Sequence, residues 1–381
     1  MQIAVITPGD SVWTLSRKYG VPVDRITEVN GLRDPNTLIV GQALVIPTTS
    51  GTPASKPEIL VNAYLQPRTP ARDREVVAEA APFLTYFSIF EYRVLRTGEL
   101  VQPNDAAALA AIRKTDSAPM MVLANFEEGN FSPEITRSIY TDQAVKQRLI
   151  DNIVSVMRSK GFKALNIDFE NLYPEDRDRY TGFLREITDR LHREGWVVST
   201  ALAPKVSATQ KGSWYEAHDY GAHGAIVDFV ILMTYEWGWS GGPPMAVSPI
   251  PQVRAVLDYA VTVIPRNKIV MGAPLYGYDW TLPFVQGGKF ARTLSPQEAV
   301  EQAIRVGAAI QYDPVSQAPY YRYYDSNGKE HVVWFEDARS MQAKFDLIRE
   351  YRLNGISYWV LGNAFPQNWP LLLDNFRVRK V

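Results

Sequence analysis

The stretch "ALNIDFENLY", residues 164–173, alternates apolar and polar side chains as a β-strand does. Its polar members include Asn166, Asp168 and Glu170. Because successive side chains of a strand point to opposite faces, these three share one face and apolar side chains occupy the other. An otherwise apolar strand with two acids and an amide on one side has either a solvated face or a function there.

Seven further segments have a strand-like composition, and helices with a 3.6-residue apolar period lie between them. One helix is predicted over 142–160 and another over 175–194, each followed by a glycine. This alternation predicts an α/β fold, a (β/α)8 barrel. A doubly wound α/β hydrolase is the main alternative, but its GxSxG motif is absent. The eight strands are predicted at 60–65, 84–90, 119–125, 164–170, 197–204, 228–235, 268–276 and 355–361.

More strand-like sequence lies between the seventh and eighth strands. This interval is too long for one connecting helix, and it contains the tyrosine-rich segment "YYRYYDSNGKEHVVWF". The dipeptide Asn327-Gly328 within it is typical of a two-residue hairpin turn. We therefore predict a small α+β insertion over residues 281–336, on the catalytic face of the barrel.

A separate module precedes the barrel. The segment "TTSGTPASKPE", residues 48–58, is rich in small residues, proline and glycine, which is typical of a linker between modules. Before it, the pattern predicts strand, helix, helix and strand, with Asp10 or Ser11 capping the first helix. The predicted domains are a βααβ module over 1–48, a linker over 49–58 and the barrel domain over 59–381.

The module resembles a LysM domain almost end to end. The resemblance rests on "TPGDSVWTLSRKYGV", on "VNGLRDPNTLIVGQALVIP" and on the spacing between them. LysM domains bind glycans that contain N-acetylglucosamine, such as peptidoglycan or chitin, so the resemblance implies a glycan-binding surface. Trp13 is expected in the core of this small module. The residues implied to contact glycan are Gly9, Asp10, Ser11, Val12, Pro35, Asn36, Thr37, Leu38 and Ile39.

The composition excludes several function classes. The chain has 40 Lys and Arg against 41 Asp and Glu, mixed along its length, so nucleic acid is not an expected partner. No apolar run approaches the ~20 residues of a membrane span, so no membrane is expected either. The chain has no cysteine, and its four histidines lack the spacing of zinc hydrolases. His218 and His223 are expected to lie on surface loops.

The acids of the opening stretch lie where a barrel performs its chemistry. Active sites of (β/α)8 barrels form at the carboxyl ends of the strands, and Glu170 ends the fourth predicted strand, with Asp168 two residues earlier. Two carboxyls that face a packed interior repel each other, so at least one pKa rises. A carboxylic acid that stays protonated near neutral pH can donate a proton in catalysis. A structural polar network at the barrel mouth is the alternative.

Several strands together resemble glycoside hydrolase family 18, whose members include chitinases and endo-N-acetylglucosaminidases. "KALNIDFE" is similar to the DGxDxDxE strand of the family, "LMTYEW" to its M-x-Y-D motif, and "GISYWVLG" carries the tryptophan of the sugar site. "GAPLYGYDW" and the late insertion also fit, and the resemblance covers about residues 59–375. More narrowly, a LysM module joined to such a barrel resembles the spore cortex-lytic N-acetylglucosaminidases, which often carry two LysM repeats where this chain has one.

The resemblance implies substrate-assisted retention, a mechanism that requires no metal and no cofactor. Glu170 is the implied general acid, Asp168 orients the acetamido group of the substrate, and Tyr235 hydrogen-bonds to its oxygen. Trp359 is implied beneath the sugar ring, and Asn166 beside Asp168. The other implied substrate contacts are Met233, Glu236, Tyr276 and Trp280.

The chain also departs from the family pattern. Lys163 replaces the first aspartate of the strand motif, Asn166 replaces the second, and Glu236 stands where the family has an aspartate after the tyrosine. Asn166 can hydrogen-bond to Asp168 but cannot share a proton with it. The alternative interpretations are that the aromatic residues only pack and that Glu236 is an ordinary surface acid.

These features predict a monomeric hydrolase that cleaves β-1,4 bonds after N-acetylglucosamine in peptidoglycan. A chitinase acting on chitin oligomers and a non-catalytic sugar-binding protein are the alternatives. The intact pair of Asp168 and Glu170 favours an enzyme. The N-terminus has no basic segment followed by an apolar one, so no classical signal peptide is expected. The resemblance to spore cortex-lytic enzymes implies a location in the spore coat, cortex or cell wall.

Overall fold

Two stretches of the chain, residues 1–48 and 56–381, are described by a computed structural model. Most of the linker predicted over 49–58 therefore lies outside the described residues. Within the two described stretches, no helix is long and apolar enough to cross a membrane.

The N-terminal module has the predicted βααβ order. Its elements are β1 (Gln2–Val5), α1 (Val12–Tyr19), α2 (Val23–Val29) and β2 (Ala43–Ile46), and the two strands pair antiparallel. The Ser11 side chain accepts a hydrogen bond from the Thr14 N–H and so satisfies a free donor at the start of α1. Gly20 ends this helix in a left-handed conformation (φ 66°).

One expectation for the module is wrong. Trp13 is not in the core, because 62% of its surface is exposed. The buried side of α1 is formed by Val12 and Leu15, three residues apart, and Trp13 lies on another side of the helix. The guanidinium of Arg17 lies 5.6 Å from the centre of the Trp13 ring. Trp13 is thus an exposed aromatic surface rather than a packing residue.

Eight parallel strands close into a barrel, which confirms the predicted fold class. The first of them, β3, pairs with both the second, β4, and the last, β18. The barrel strands in chain order are β3, β4, β6, β9, β10, β11, β12 and β18. The strands after the module are β3 (Glu58–Leu65), β4 (Tyr86–Val94), β5 (Leu100–Val101), β6 (Ala118–Ala124), β7 (Phe126–Glu127), β8 (Asn130–Phe131), β9 (Ala164–Asp168), β10 (Val197–Leu202), β11 (Phe229–Leu232), β12 (Ile269–Pro274), β13 (Gly277–Thr281), β14 (Arg292–Leu294), β15 (Gln311–Asp313), β16 (Ala318–Tyr324), β17 (Glu330–Trp334), β18 (Gly355–Trp359) and β19 (Arg377–Val378).

Helices connect successive barrel strands. The helix predicted over 142–160 is α6, which Asp142 caps at its start and Gly161 ends in a left-handed conformation. The helix predicted over 175–194 is α7. The helices after the module are α3 (Pro70–Ala80), α4 (Ala106–Ile112), α5 (Pro133–Thr141), α6 (Gln143–Lys160), α7 (Arg177–His192), α8 (Tyr220–Ile226), α9 (Ile250–Val263), α10 (Pro296–Val306), α11 (Ala338–Tyr351) and α12 (Asn368–Asn375).

The two faces of β9 are used as their side chains predict. Leu165, Ile167 and Phe169 belong to the main apolar core of the barrel domain. Asn166 and Asp168 take the opposite face, since successive side chains of a strand alternate. That face is the barrel interior, where Asn166 is fully buried and hydrogen-bonded to residues of other barrel strands. The strand thus turns its polar side inward, so the solvated-face interpretation is wrong.

The interval between the seventh and eighth barrel strands holds a small α+β unit, as predicted. Its sheet has five strands in the order β14-β13-β17-β16-β15, and α10 belongs to it. The sheet begins at Gly277, before the start predicted at residue 281. Because β13 follows directly on β12, the insertion stands on the carboxyl end of the barrel.

The LysM-like module rests directly on the barrel domain. Ala43 and Val45 of β2 belong to the apolar core of the barrel domain, while Leu44 and Ile46 belong to the core of the module. Backbone groups of the module complete this contact. The Gln367 side chain donates to the Ala43 carbonyl (2.8 Å), the Arg339 guanidinium donates to the Gly41 carbonyl (3.0 Å) and the Ile310 N–H donates to the Val40 carbonyl (2.9 Å).

A glycine pair tests this contact. Gly41 (φ 84°) has no room for a side chain, because a Cβ there would lie 1.7 Å from the Ile310 carbonyl oxygen. Gly9 has a similar φ of 90° with nothing within 4 Å. We expect Gly9→Ala to cost about 1–2 kcal/mol of unfolding free energy through backbone strain alone. Gly41→Ala should cost about 1–3 kcal/mol more through overpacking, measured by urea denaturation. Equal losses would contradict the contact.

Candidate active site

Asp168 and Glu170 form a carboxyl pair at the mouth of the barrel. Only 4% of the Asp168 surface is exposed, and its carboxyl lies close enough to that of Glu170 for the two groups to influence each other's pKa. Burial raises the pKa of Asp168 to about 7, and the nearby Glu91 carboxylate adds to this rise. Burial also raises the pKa of Glu170, with the Asp168 charge as the next cause. The pair therefore retains one proton near neutral pH, because burial opposes the charge of both carboxyls and two neighbouring carboxylates repel each other.

A buried polar network lies beneath the pair. Asn166 Oδ1 accepts a hydrogen bond from the Tyr64 hydroxyl (2.9 Å), and Asn166 Nδ2 donates to Ser199 Oγ (2.9 Å). Asn166 thus uses its two ends to join three barrel strands. Lys163 is exposed at the opposite end of β9, five residues before Asp168 and hence about 16 Å away along the strand. It does not enter the polar network of the barrel interior.

A second wall of the site comes from the residues that follow β11. Burial and the charges of Asp168 and Glu170 raise the pKa of Tyr235 well above its usual value, so its hydroxyl remains a hydrogen-bond donor. The next residue, Glu236, accepts hydrogen bonds at Oε1 from the hydroxyls of Tyr276 and Tyr278. Its backbone is in the left-handed region (φ 68°). Glu236 is exposed, but these two hydroxyls hold its carboxylate at the site.

Trp359 ends the last barrel strand and forms an aromatic corner. Its ring lies edge-on to Phe90 at 4.8 Å and to Tyr64 at 5.3 Å between ring centres. Trp359 is half-buried, so part of it stays accessible to a ligand. The contact with Tyr64 also connects this corner to the network around Asn166.

The structure separates the remaining predicted contacts. Tyr276 lies at the site through its bond to Glu236. Met233 is half-buried, and its N–H pairs with the Leu202 carbonyl. Trp280 is only 2% exposed, and its indole N–H donates to the Gly242 carbonyl (2.9 Å). Trp280 therefore packs within the insertion, and its contact with substrate stays a prediction.

Sequence patterns did not reveal four residues of the site. Tyr64, Phe90 and Glu91 lie on barrel strands whose composition is ordinary, and the one signal that could have identified them is their aromatic or acidic character near a strand end. Tyr278 lies in the quoted segment "GAPLYGYDW", two residues after Tyr276 on the same face of the chain. Phe90 and Glu91 also border a cleft of about 390 Å³ at the barrel mouth.

The expectation for two histidines is wrong. His218 is 1% exposed and His223 is fully buried, although both had been expected on surface loops. The ring of Tyr180 contacts both histidines, with ring centres 6.2 Å from His218 and 4.9 Å from His223, and Tyr180 itself belongs to the apolar core. The segment "YEAHDYGAHGAI" mixes small and polar residues, so its sequence gives no sign of this burial.

The predicted LysM contacts divide into exposed and packed residues. Gly9, Asn36 and Thr37 are exposed and available to a ligand. Val12 and Leu38 pack in the core of the module, and Ile39 packs against the core of the insertion. Asp10, Ser11 and Pro35 are half-buried. The exposed members lie on two loops, one before α1 and one before β2.

Comparisons with known proteins agree with this geometry. The family model "Glycosyl hydrolases family 18" matches residues 82–364, and the model "LysM domain" matches residues 4–47. The chain belongs to glycoside hydrolase family 18. It is 47% identical over 427 residues to the cortical fragment-lytic enzyme of Bacillus subtilis (strain 168), covering 100% of this chain and 99% of that protein.

Two solved structures extend the family 18 assignment to the arrangement of the whole chain. The spore cortex-lytic enzyme SleL of Bacillus megaterium QM B1551 superposes with a TM-score of 0.95 at 40% identity, covering 100% of this chain and 99% of that one. SleL of Bacillus cereus gives a TM-score of 0.84 at 43% identity, covering 99% and 87%. This family 18 member is thus a glycoside hydrolase that carries a LysM domain.

The charge of Glu91 offers a test of the carboxyl pair in this family 18 enzyme. Glu91→Gln removes a negative charge that raises the pKa of Asp168. The pair then accepts its second proton only at lower pH, so the acid limb of the kcat/KM profile should move to lower pH, by up to about one unit. The measurement is the rate of sugar release across the acid limb. Glu28→Gln on the LysM surface is the control, and an unmoved acid limb in Glu91→Gln would contradict the prediction.

Proposed function

We propose that this enzyme hydrolyses peptidoglycan, cleaving the β-1,4 bond after N-acetylglucosamine with retention of configuration. The observation that carries the proposal is the pair of neighbouring carboxyls, Asp168 and Glu170, at the end of β9 in the barrel mouth, where burial raises the pKa of both. One carboxyl of this pair can donate its proton, while the other, as a carboxylate, can stabilise a positive charge that develops on the substrate. Family 18 chemistry uses the substrate itself as nucleophile, an exception to the usual two-carboxylate scheme.

The residues support the following steps. Glu170 donates its proton to the glycosidic oxygen as the bond to the anomeric carbon breaks. The carbonyl oxygen of the substrate's N-acetyl group attacks that carbon and forms a cyclic oxazolinium ion. Water then adds to the anomeric carbon, and the bond from this carbon to the acetamido oxygen breaks, which restores the N-acetyl group. The water gives a proton to Glu170, so that the enzyme returns to its starting protonation state.

Asp168 stabilises the charge that develops in this reaction. Its Oδ1 is buried and, in the part of the chain that the structure describes, accepts no hydrogen bond. It can therefore accept one from the acetamido N–H and orient this group toward the anomeric carbon. Tyr235, protonated at all working pH values, would donate to the acetamido oxygen. Trp359 would pack against the apolar face of the sugar ring.

The substrate follows from the two modules together. The relatives are named for lysis of cortical fragments and of the spore cortex, and the LysM module offers exposed loops at Gly9, Asn36 and Thr37 for a second stretch of the same glycan. We therefore propose cortex peptidoglycan or its fragments as the substrate, and the spore cortex or cell wall as the place of action. The proposed enzyme acts as a monomer.

Replacement of the proposed acid tests the mechanism. Glu170→Gln preserves shape but removes the proton donor, so release of soluble fragments from cortex peptidoglycan should fall at least about hundredfold. Glu127→Gln is the control and should be unaffected, because Glu127 is half-buried in the hairpin beyond β6 and pairs with Arg96 rather than with the site. Full activity of Glu170→Gln would contradict the role of Glu170.

Analysis of the new chain ends tests the bond. A glucosaminidase leaves N-acetylglucosamine at the new reducing end, in the β configuration at first because the mechanism retains configuration. Mass spectrometry after borohydride reduction identifies the sugar, and early NMR spectra identify the anomer. N-acetylmuramic acid at that end would overturn the assignment, and faster turnover of chitin oligomers than of cortex fragments would favour a chitinase.

The LysM loops call for a binding experiment. The double variant Asn36→Ala, Thr37→Ala removes two exposed polar side chains without touching the contact with the barrel. Co-sedimentation with insoluble peptidoglycan should weaken, while kcat on soluble fragments should not change. Arg25→Ala, Glu28→Ala on the exposed side of α2 is the control. Unchanged sedimentation of the loop variant would contradict glycan binding by this loop.

A further inference from the structure

The backbone that carries the proposed acid lies beyond the end of the sheet. The ladder between β6 and β9 ends at the pair Ala124–Asp168, and the ladder between β9 and β10 ends earlier, at Ile167. Phe169 and Glu170 therefore have no strand partner for their peptide groups. Side chains instead provide the hydrogen bonds to these peptide groups.

Asn125 holds the peptide groups on both sides of Glu170. Its Oδ1 accepts a hydrogen bond from the Glu170 N–H (2.9 Å), and its Nδ2 donates to the Glu170 carbonyl (2.9 Å). Nδ2 also donates to the Ser132 carbonyl (3.0 Å), so each polar atom of this fully buried amide has a partner. Asn125 directly follows β6, and its side chain thus continues the β6–β9 ladder past the point where the backbones separate.

His218 holds the same segment from the other side. The Ala203 N–H donates to His218 Nδ1 (3.0 Å), so the proton of the neutral ring lies on Nε2. His218 Nε2 lies 2.9 Å from the Phe169 carbonyl oxygen and donates to it. Burial lowers the pKa of His218 to about 4, which keeps the ring in this neutral form. The Lys205 ammonium fixes the backbone of the histidine by donating to its carbonyl (2.9 Å).

These contacts together immobilise two consecutive peptide planes. The Phe169 carbonyl and the Glu170 N–H belong to one peptide unit, which His218 and Asn125 hold from opposite ends. The Glu170 carbonyl belongs to the next unit, which Asn125 also holds. Since a peptide unit is planar, fixing both units sets φ and ψ of Glu170 and hence the direction of its side chain. The next residue, Asn171, has φ of 52°, so the chain turns away immediately afterwards.

We propose that Asn125 and His218 are positioning residues that fix the Glu170 carboxyl against Asp168. The proposal rests on the proposed role of Glu170 as general acid. A small displacement of a reacting group can cost about a hundredfold in rate, so such positioning has a measurable kinetic effect. Neither residue contacts the substrate; both act through the backbone of Glu170.

Two replacements of His218 separate the contacts of its ring. Gln places an amide N–H near the position of Nε2 and can still donate to the Phe169 carbonyl. Asn places an amide oxygen near Nδ1 and keeps only the acceptor for the Ala203 N–H. We expect kcat on soluble cortex fragments to stay within about threefold for His218→Gln and to fall roughly ten- to hundredfold for His218→Asn, with little change in KM. A merely structural role predicts equal kcat for the two.

Asn125→Leu removes all the hydrogen bonds of the amide while keeping its approximate volume. Glu170 is then freer to leave Asp168, whose charge raises its pKa, so the pKa of Glu170 should fall. Because Glu170 must be protonated to act, the basic limb of the kcat profile should move to lower pH. A basic limb and kcat equal to those of the unmodified enzyme would overturn the proposal.

His223→Leu is the matched control for the histidine variants. His223 is as buried as His218, its ring centre lies 6.1 Å from that of His218, and among the described residues neither of its nitrogens has a hydrogen-bond partner. It should leave kcat and the pH profile unchanged, and thermal unfolding of all variants shows that they are folded. If Glu170→Gln retains full activity, the proposed mechanism fails. If Glu170→Gln is inactive but His218→Asn and Asn125→Leu match the unmodified enzyme, only the positioning proposal fails.

Discussion

The site depends on one interaction, that between the neighbouring buried carboxyls of Asp168 and Glu170. Two carboxylates at this depth repel each other, and burial opposes both charges, so the pair holds a proton that exposed acids would release. The strand period of two places both on the inner face of β9, and barrel closure removes them from water. The fold therefore keeps a proton on this pair near neutral pH, a proton that exposed acids on an open sheet would release.

The substitution beneath the pair determines how far this proton can move. Asn166 occupies the position of a family acid, and its amide is hydrogen-bonded at both ends, to the hydroxyls of Tyr64 and Ser199, rather than to Asp168. At the position of Asn166, therefore, the side chain beneath the pair cannot take up or release a proton. Lys163, which replaces the other family acid, is exposed at the far end of the strand and does not reach the carboxyl pair. The groups that exchange protons with the carboxyl pair therefore lie at the upper rim of the site, where Glu91 and Glu236 are the neighbouring charges.

Periodicity explains what could be predicted from sequence and what could not. The alternation in "ALNIDFENLY" and the eightfold repetition of strand and helix are local patterns, and they sufficed for the barrel, the inward face of β9 and the insertion. Contacts between distant segments have no local pattern. The burial of His218 depends on Ala203 and Phe169, which come from two other strand ends, so its ring was mistaken for a surface group. The prediction for Trp13 is wrong for the opposite reason, because the hydrophobic character of its side chain does not imply burial.

The strand β2 links the two modules more firmly than a tether does. Four consecutive buried residues alternate between two cores, Ala43 and Val45 toward the barrel, Leu44 and Ile46 toward the LysM module. A one-residue shift of this strand would place the wrong set in each core, so the register holds both modules at once. The exposed loops of the module are consequently held at a fixed distance from the pair at the barrel mouth. Under the proposed function, a glycan that binds both the module and the barrel must span that distance, and the docking of the module would then restrict which glycosidic bond reaches Glu170.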